Sequence, residues 1–390
     1  MRRLACTILA ASLLLAGCWD RKEINDIALV MGTSVDKEGN QYKVTVQIAM
    51  PSQLGGAGSQ GGGGGTSGTK AWHSLTATAE TIRKANEIEQ QALSRILYFS
   101  HRRTLLIGED LAREGILDIM DVFSRIPQNR LTANVAITQG KSVDIMESEA
   151  PIERFPSEAI REQLNQYMKR NRVLKDLITS ILQEGIDPAI PFFKTTSKEP
   201  GSAEAKGKEN IRVGGLAVFK KEKLVGFLEG DDAQGALWAM DEARIPTVSI
   251  TAPGSKKKIA VQFHQTESKL KPVIQQDGTI LMQIRIKAIG SVVDNESRFT
   301  PVNMGTLETL VGKKIEGNVK NSLSILQKKY KADIIGFGRN IYMDDPTYWR
   351  QISANWDEMY PKVKTEVQTD IQIEHSGALI APFQREEGNR

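Results

Sequence analysis

Very few side chains in this chain could carry covalent or metal chemistry. Its 390 residues include only two cysteines, Cys6 and Cys18, and four histidines, His73, His101, His264 and His375. Both cysteines fall within the first eighteen positions, so the rest offers no thiol nucleophile, no intrachain disulfide and no cysteine-ligated zinc or iron–sulfur cluster. The histidines are far apart, with no His-Glu-x-x-His and no close pair to seed a metal site, and each reads as a surface or satisfied core residue. A serine nucleophile on an elbow needs Gly-x-Ser-x-Gly, which is absent. The fragment Gly140, Lys141, Ser142 lacks the leading glycine of a phosphate loop, Val135 standing in its place. Acidic neighbours such as Asp231 with Asp232, or Asp344 with Asp345, imply no tuned acid–base pair, because that depends on geometry and not on adjacency. An acidic residue just before Pro346 reads instead as a helix cap. The expectation is a protein that is not an enzyme, with no catalytic residue, metal or cofactor.

The cysteine with a chemical context is Cys18. The chain opens MRRLACTILAASLLLAGC, where two arginines precede an apolar run over residues 4–16 that is too short to span a bilayer, the pattern of a secretory signal. Its end, Leu15, Ala16, Gly17 and Cys18, resembles the lipobox of bacterial lipoproteins. In that family the cysteine receives a diacylglyceryl thioether, the preceding peptide is cleaved and the new α-amine is usually acylated. The resemblance makes residues 1–17 a lipoprotein signal peptide, Cys18 the lipidation site, and the body a domain tethered outside the cytoplasm. Acyl chains contribute about 0.8 kcal/mol per buried CH₂, and two or more hold a protein stably on a membrane. No later apolar stretch reaches about 18 residues, so the lipid would be the only covalent membrane attachment.

Composition narrows the classes further. With 40% hydrophobic and 25% charged residues the chain is globular, neither disordered nor polytopic. Lys and Arg number 51 against 47 Asp and Glu, a formal +4 that falls to +2 once Arg2 and Arg3 leave with the signal. Nucleic-acid binding has no electrostatic support at that charge.

The elements that must position any site follow from periodicity. Residues 36–40 read as a hairpin turn before a strand in which Tyr42, Val44, Val46, Ile48 and Met50 alternate with polar or small partners. Glycine dominates 51–69, a loop. Helix is expected over 74–94, a strand or hairpin arm over 95–108, one helix over 109–126, a β-run over 131–138 and helix over 160–184. Residues 194–209 are polar with Gly and Pro and read as a linker. A hairpin is expected over 211–219 and 223–228, then β-runs at 247–250, 258–263 and 279–289, a long amphipathic helix over 302–330 and an alternating strand over 363–374. This order predicts an α+β fold of two to three mixed α/β domains, with largely antiparallel sheets packed against helices. The expected division is 18–193, a linker or loop at 194–210, and 211–390. After Pro346, Trp349, Ile352, Trp356 and Met359 share a helix face; Trp349 and Trp356 either fill a core or form a docking face for a membrane-bound partner.

Together these segments resemble the C-subunit lipoproteins of spore germinant receptors, the Ger(x)C or GerAC-type family. The resemblance rests on Cys18, Trp19 and Asp20 with Glu23 and Ile24, on SHRRTLLIGEDLAREGILDIMDVFSRIPQNR over 100–130, on GLAVFKKEKLVG over 215–226, and on 332–377 with ADIIGFGRNIY, Trp349, Trp356 and IQIEHSG. The glycine tract at 55–65 is longer than the family's loop. The resemblance implies a non-enzymatic subunit needed for nutrient-triggered germination, lipid-anchored on the outer face of the spore inner membrane. Its implied partners are the membrane-spanning A-type and B-type subunits. Only Cys18 takes a defined role from the family. The competing expectation is an extracytoplasmic lipoprotein that itself binds a small solute.

Overall fold

The computed structural model describes residues 23–50, 71–148, 150, 152–196, 210–252, 256–296 and 304–375. The signal segment, Cys6, Cys18, the glycine tract and most of the expected linker lie outside the described residues.

The first half builds strands β1 (Ile27–Glu38), β2 (Gln41–Ala49), β3 (Trp72–Ala79), β4 (Ile96–Tyr98), β5 (Thr104–Gly108), β6 (Asn134–Thr138) and β7 (Ala189–Thr196). Strands β8 (Asn210–Lys220) and β9 (Lys223–Glu229) then join the same sheet, in the order β3-β2-β1-β5-β6-β7-β8-β9 with β4 on the start of β1. The expected hairpins at β1–β2 and β8–β9 are both antiparallel pairs. Between them β1, β5, β6 and β7 form a parallel block. The remaining strands, β10 (Thr247–Thr251), β11 (Lys258–Ile274), β12 (Ile280–Asn295) and β13 (Lys364–His375), make a second sheet in chain order, antiparallel except for β12 with β13. The architecture is α+β with mostly antiparallel pairs and helices on the sheets.

Several expected elements differ. Residues 72–79 form β3 and not the start of a helix, since pairing with β2, including a Thr45–Thr76 hydroxyl contact at 2.9 Å, outweighs local helix preference. The helix proper is Ile82–Gln91, capped by the Thr81 side chain on the Lys84 N–H. The single helix expected over 109–126 is two, Glu109–Glu114 and Leu117–Arg125, because Gly115 takes a φ of 139° that ends the first. Likewise 160–184 divides into Pro156–Tyr167 and Leu174–Leu182, the backbone between them bonding elsewhere: Lys169 N–H to Glu242 and the Arg172 carbonyl to Val135.

Strand β8 is shared by two cores. Ala217 and Phe219 face the core of the first sheet with Ile107, Phe123, Val135 and Leu177. Leu216 and Val218 face the second, with Trp238, Phe263, Met282, Val319 and Tyr360. The period-two alternation of one strand therefore joins the two halves. The expected boundary at 194–210 falls between two neighbouring, hydrogen-bonded strands of a single sheet.

The second core is closed by the helix Met304–Ser324, which buries Leu307, Val311, Ile315, Val319 and Leu323 at helical spacing against the second sheet. A π-helical turn, Ile325–Tyr330, extends it, followed by short helices Phe337–Asp344, Pro346–Ile352 and Trp356–Met359 that return the chain to β13. Asp345 caps the second of these as expected, its Oδ1 accepting from the N–H groups of Thr347 and Tyr348.

Candidate functional site

The most elaborated polar site lies where the segment after helix Leu174–Leu182 meets the segment before helix Phe337–Asp344. Asp187 is 6% exposed and Asp333 1%. The Asp187 N–H donates to the Asp333 carbonyl at 2.9 Å, and the Asp333 N–H donates to Asp187 Oδ2 at 2.8 Å.

Each carboxylate is then saturated. Asp333 Oδ1 accepts from the N–H groups of Gly336 and Phe337, and Oδ2 from the Gly338 N–H, all at 2.9 Å, and from Trp356 Nε1 at 3.2 Å. Three of these are first-turn donors of helix Phe337–Asp344, which lack intrahelical partners and favour a negative charge. Asp187 accepts from the Lys221 N–H at 2.8 Å and from Lys220 Nζ at 3.1 Å, while Lys220 also reaches Asp357. Burial pushes the Asp333 carboxyl up to about 7, and the N–H groups of Gly338, Phe337 and Gly336 oppose that rise. Every hydrogen-bonding neighbour of the carboxylate is a donor, so the geometry suits its ionised form. Burial lowers the Lys220 ammonium, but Asp187 and Asp357 outweigh it and hold it above its ordinary value.

Backbone contact closes the junction. A Cβ on Gly185 would lie 2.5 Å from the Gly338 carbonyl carbon, and one on Gly338 would lie 2.7 Å from Gly185 Cα. This approach lets the Arg339 N–H donate to the Gly185 carbonyl at 2.8 Å.

Trp349 and Trp356 meet here, ring centroids 5.4 Å apart at 64°, and Trp356 continues to Tyr360. They are only 2% and 6% exposed. Trp349 Nε1 donates to Glu184 at 3.1 Å, as Trp356 Nε1 does to Asp333. The one helix expected after Pro346 is two, Pro346–Ile352 and Trp356–Met359, separated by residues 353–355; of the two expected readings the burial supports the core one, and only the borders of the rings reach the surface. Asp187, Asp333 and the two glycines escaped the sequence reading: Asp187, Gly185 and Gly338 act through contacts from far along the chain, while Asp333 caps the start of a nearby helix through the N–H groups of Gly336, Phe337 and Gly338, a local Asp-x-x-Gly spacing that could have marked it.

Two clefts flank the junction. One, of about 540 Å³, is bordered by Leu117, Leu182, Glu184, Glu222 and the two tryptophans. The other, of about 480 Å³, is lined by Arg170, Arg172, Arg339, Asn340 and Glu242. Glu242, with its side chain fully buried, pairs with both Arg170 and Arg172. The remaining candidates do not converge: His73, His101 and His264 are exposed at separate places. Among the described residues no group of three or more His, Cys, Asp or Glu is placed to hold a metal, and no helix is long and apolar enough to cross a membrane.

The comparisons agree with this architecture. The family described as "Spore germination protein N-terminal domain" matches residues 20–195, and "Spore germination B3/ GerAC like, C-terminal" matches 214–377. YfkR of Bacillus subtilis (strain 168), a protein named for spore germination, is 35% identical over 94% of this chain and 94% of its own. Spore germination protein KC of the same organism is 26% identical over 98% of each chain. The crystal structure of the GerBC protein superposes with a TM-score of 0.57, covering 88% of this chain and 96% of that one at 22% identity, and so shares the fold. Sequence and fold together define a spore germination protein. The chain belongs to the GerAC-type, or C-subunit, family of those proteins.

Proposed function

We propose that this chain is the lipid-anchored, non-enzymatic C subunit of a spore germinant receptor, required for nutrient-triggered germination through assembly or signalling with membrane-spanning A-type and B-type subunits. In this reading Cys18 carries the lipid and holds the body on the extracytoplasmic face of the spore inner membrane. The observation that carries it is family membership along nearly the whole chain, 94% of it aligned with YfkR. The lipobox at residues 15–18 supplies an anchor, and no described helix supplies another.

Affinity purification of the tagged chain from spore membranes tests the assembly. Recovery of the multi-spanning subunits is the expected result, and recovery of none overturns it. Cys18→Ala is expected to abolish lipid labelling and release the chain from membranes; unchanged labelling rules out the anchor.

A second reading, direct binding of a small solute, draws on the cleft of about 480 Å³ with its three arginines, Asn340 and a buried glutamate. Calorimetry with amino acids and sugars separates the two, since saturable heat from the isolated chain favours solute binding.

A further inference from the structure

The cleft of about 540 Å³ carries five carboxylates, Glu184, Asp187, Glu222, Asp333 and Asp357, against two ammonium groups, Lys220 and Lys221, a formal charge of −3. Those lysines are already committed. Lys220 is held between Asp187 and Asp357, and Lys221 lies 3.5 Å from Asp357. Glu184 and Glu222 form no ion pair among the described residues, and Glu184 spends one oxygen on the Trp349 indole. Two acidic groups, one exposed and one half-buried, therefore line the cleft with unused acceptor capacity.

The rim is apolar. Leu182, at the end of helix Leu174–Leu182, is 74% exposed, and Leu117, first residue of helix Leu117–Arg125, is 49% exposed. Large aliphatic side chains beside a cleft touched by the borders of two tryptophans mark contact with another chain more than with a small solute, because such contacts combine a desolvated apolar anchor with a few charges. The volume lies within the range of about 300–1,000 Å³ that takes a drug-sized ligand, enough for a few residues of a partner.

We propose that this cleft is a docking site for a cationic, apolar segment of a partner protein, an Arg or Lys seated between Glu184 and Glu222 beside a Leu-sized side chain packed on Leu117 and Leu182. The guanidinium is the better occupant of the two, since it pairs bidentately with carboxylates and lies against aromatic surfaces. This goes beyond the receptor reading and does not depend on it. A binding assay on the purified chain reads the cleft whether or not multi-spanning subunits co-purify.

The test is fluorescence anisotropy of a labelled, end-blocked hexapeptide of alternating Leu and Arg, titrated with the full chain in detergent, with a Leu–Glu hexapeptide as counter-probe. Saturable, salt-sensitive binding of the basic peptide alone is expected. The pair Glu184→Lys with Glu222→Lys, and separately Leu182→Glu, are expected to weaken it at least about tenfold. Lys287→Glu, on the solvent side of the second sheet, is expected to leave it unchanged. These positions are exposed or half-buried, and unaltered thermal unfolding confirms that each variant folds. The proposal is overturned by no saturable binding, by equal binding of the acidic peptide, or by cleft variants that match Lys287→Glu. A spermidine competitor whose affinity ignores Leu182→Glu would instead assign the cleft to small polyamines.

Discussion

The backbone of Asp187 and the backbone of Asp333 are hydrogen-bonded to one another's residue, 146 positions apart: the Asp187 N–H reaches the Asp333 carbonyl at 2.9 Å and the Asp333 N–H the Asp187 carboxylate at 2.8 Å. A short stretch of each half is thereby clamped at fixed register, and the two clefts open on either side of the clamp.

Asp333→Asn is expected to destabilise the protein. An amide keeps the size of the carboxylate but turns an NH₂ toward N–H donors, leaving at least one of Gly336, Phe337, Gly338 or Trp356 without an acceptor. A buried unsatisfied donor costs about 1–3 kcal/mol. Urea unfolding checks it; a midpoint equal to the wild type would contradict the hub.

Removing one partner from the buried end of the ion pair has a related effect. Lys220→Met strips the Asp187 carboxylate, whose side chain is 8% exposed, of its cation while its two N–H donors remain. The loss expected is about 1–3 kcal/mol, because the charge stays buried when its counter-ion goes. The double variant with Asp187→Asn is expected to lose less than the sum of the single changes, which a double-mutant cycle measures.

Gly338→Ala forces a methyl to within 2.7 Å of Gly185 Cα and 2.8 Å of Trp356 Nε1, neither of which is the free end of a flexible side chain. Overpacking of this kind costs about 1–3 kcal/mol. Gly317, in the helix Met304–Ser324, meets nothing within 4 Å, so Gly317→Ala is expected to be neutral or to stabilise by about 0.5–1 kcal/mol. Thermal unfolding of the two variants side by side is the check; equal shifts would count against a close contact at the junction.

Glu89 gives a pH prediction. It is 2% exposed, accepts from Asn86 at 2.8 Å, and lies near Arg102, whose guanidinium sits 4.9 Å from the Phe99 ring centre and 4.6 Å from that of Phe123. Burial pushes the Glu89 carboxyl up to about 8 from an ordinary 4.5, against the pull of Asn86 and Arg102. The folded state thus holds a proton that the unfolded chain gives up. The contribution of this group is full below about 4.5 and is lost as pH rises toward about 8. Glu89→Gln mimics the protonated form and is expected to flatten that decline, so its melting temperature should gain on the wild type by a few degrees between acid and mildly basic pH. Parallel pH profiles would refute the assignment.

Local pattern carried much of the fold. Alternation located β2, the β8–β9 hairpin and β13, and the apolar stripe located the helix Met304–Ser324, because each element buries one face of a regular period. It failed where long-range pairing decided the outcome: residues 72–79 have a helix-compatible composition but are held as β3 by β2. The parallel block β1-β5-β6-β7 was invisible for the same reason, its neighbours being set by crossovers. At the site, the spacing paired Trp349 with Trp356, whose rings do meet, but it missed the break between the helices Pro346–Ile352 and Trp356–Met359 and could not say which way the rings turn. Asp333 carries a faint local mark, an acidic residue three to five positions before the N–H groups it caps, but its burial and its link to Asp187 come from 146 residues away.

The two-sided character of β8 bears on the order in which this molecule can be made. A chain emerging from its N-terminus has all of β1 to β7 available while β7, paired with β6, still lacks β8 on its other edge, and Phe192 and Phe193 on that strand are fully buried in the finished protein. Only after residue 220 has appeared can β8 cover that edge, and the opposite side of β8 has its core completed only when β13 closes the second sheet. Truncation before β8 therefore leaves the β7 edge unpaired, and truncation between β9 and the second sheet leaves the Leu216 and Val218 side of β8 bare, so a partly made chain exposes aggregation-prone surface until synthesis is nearly done.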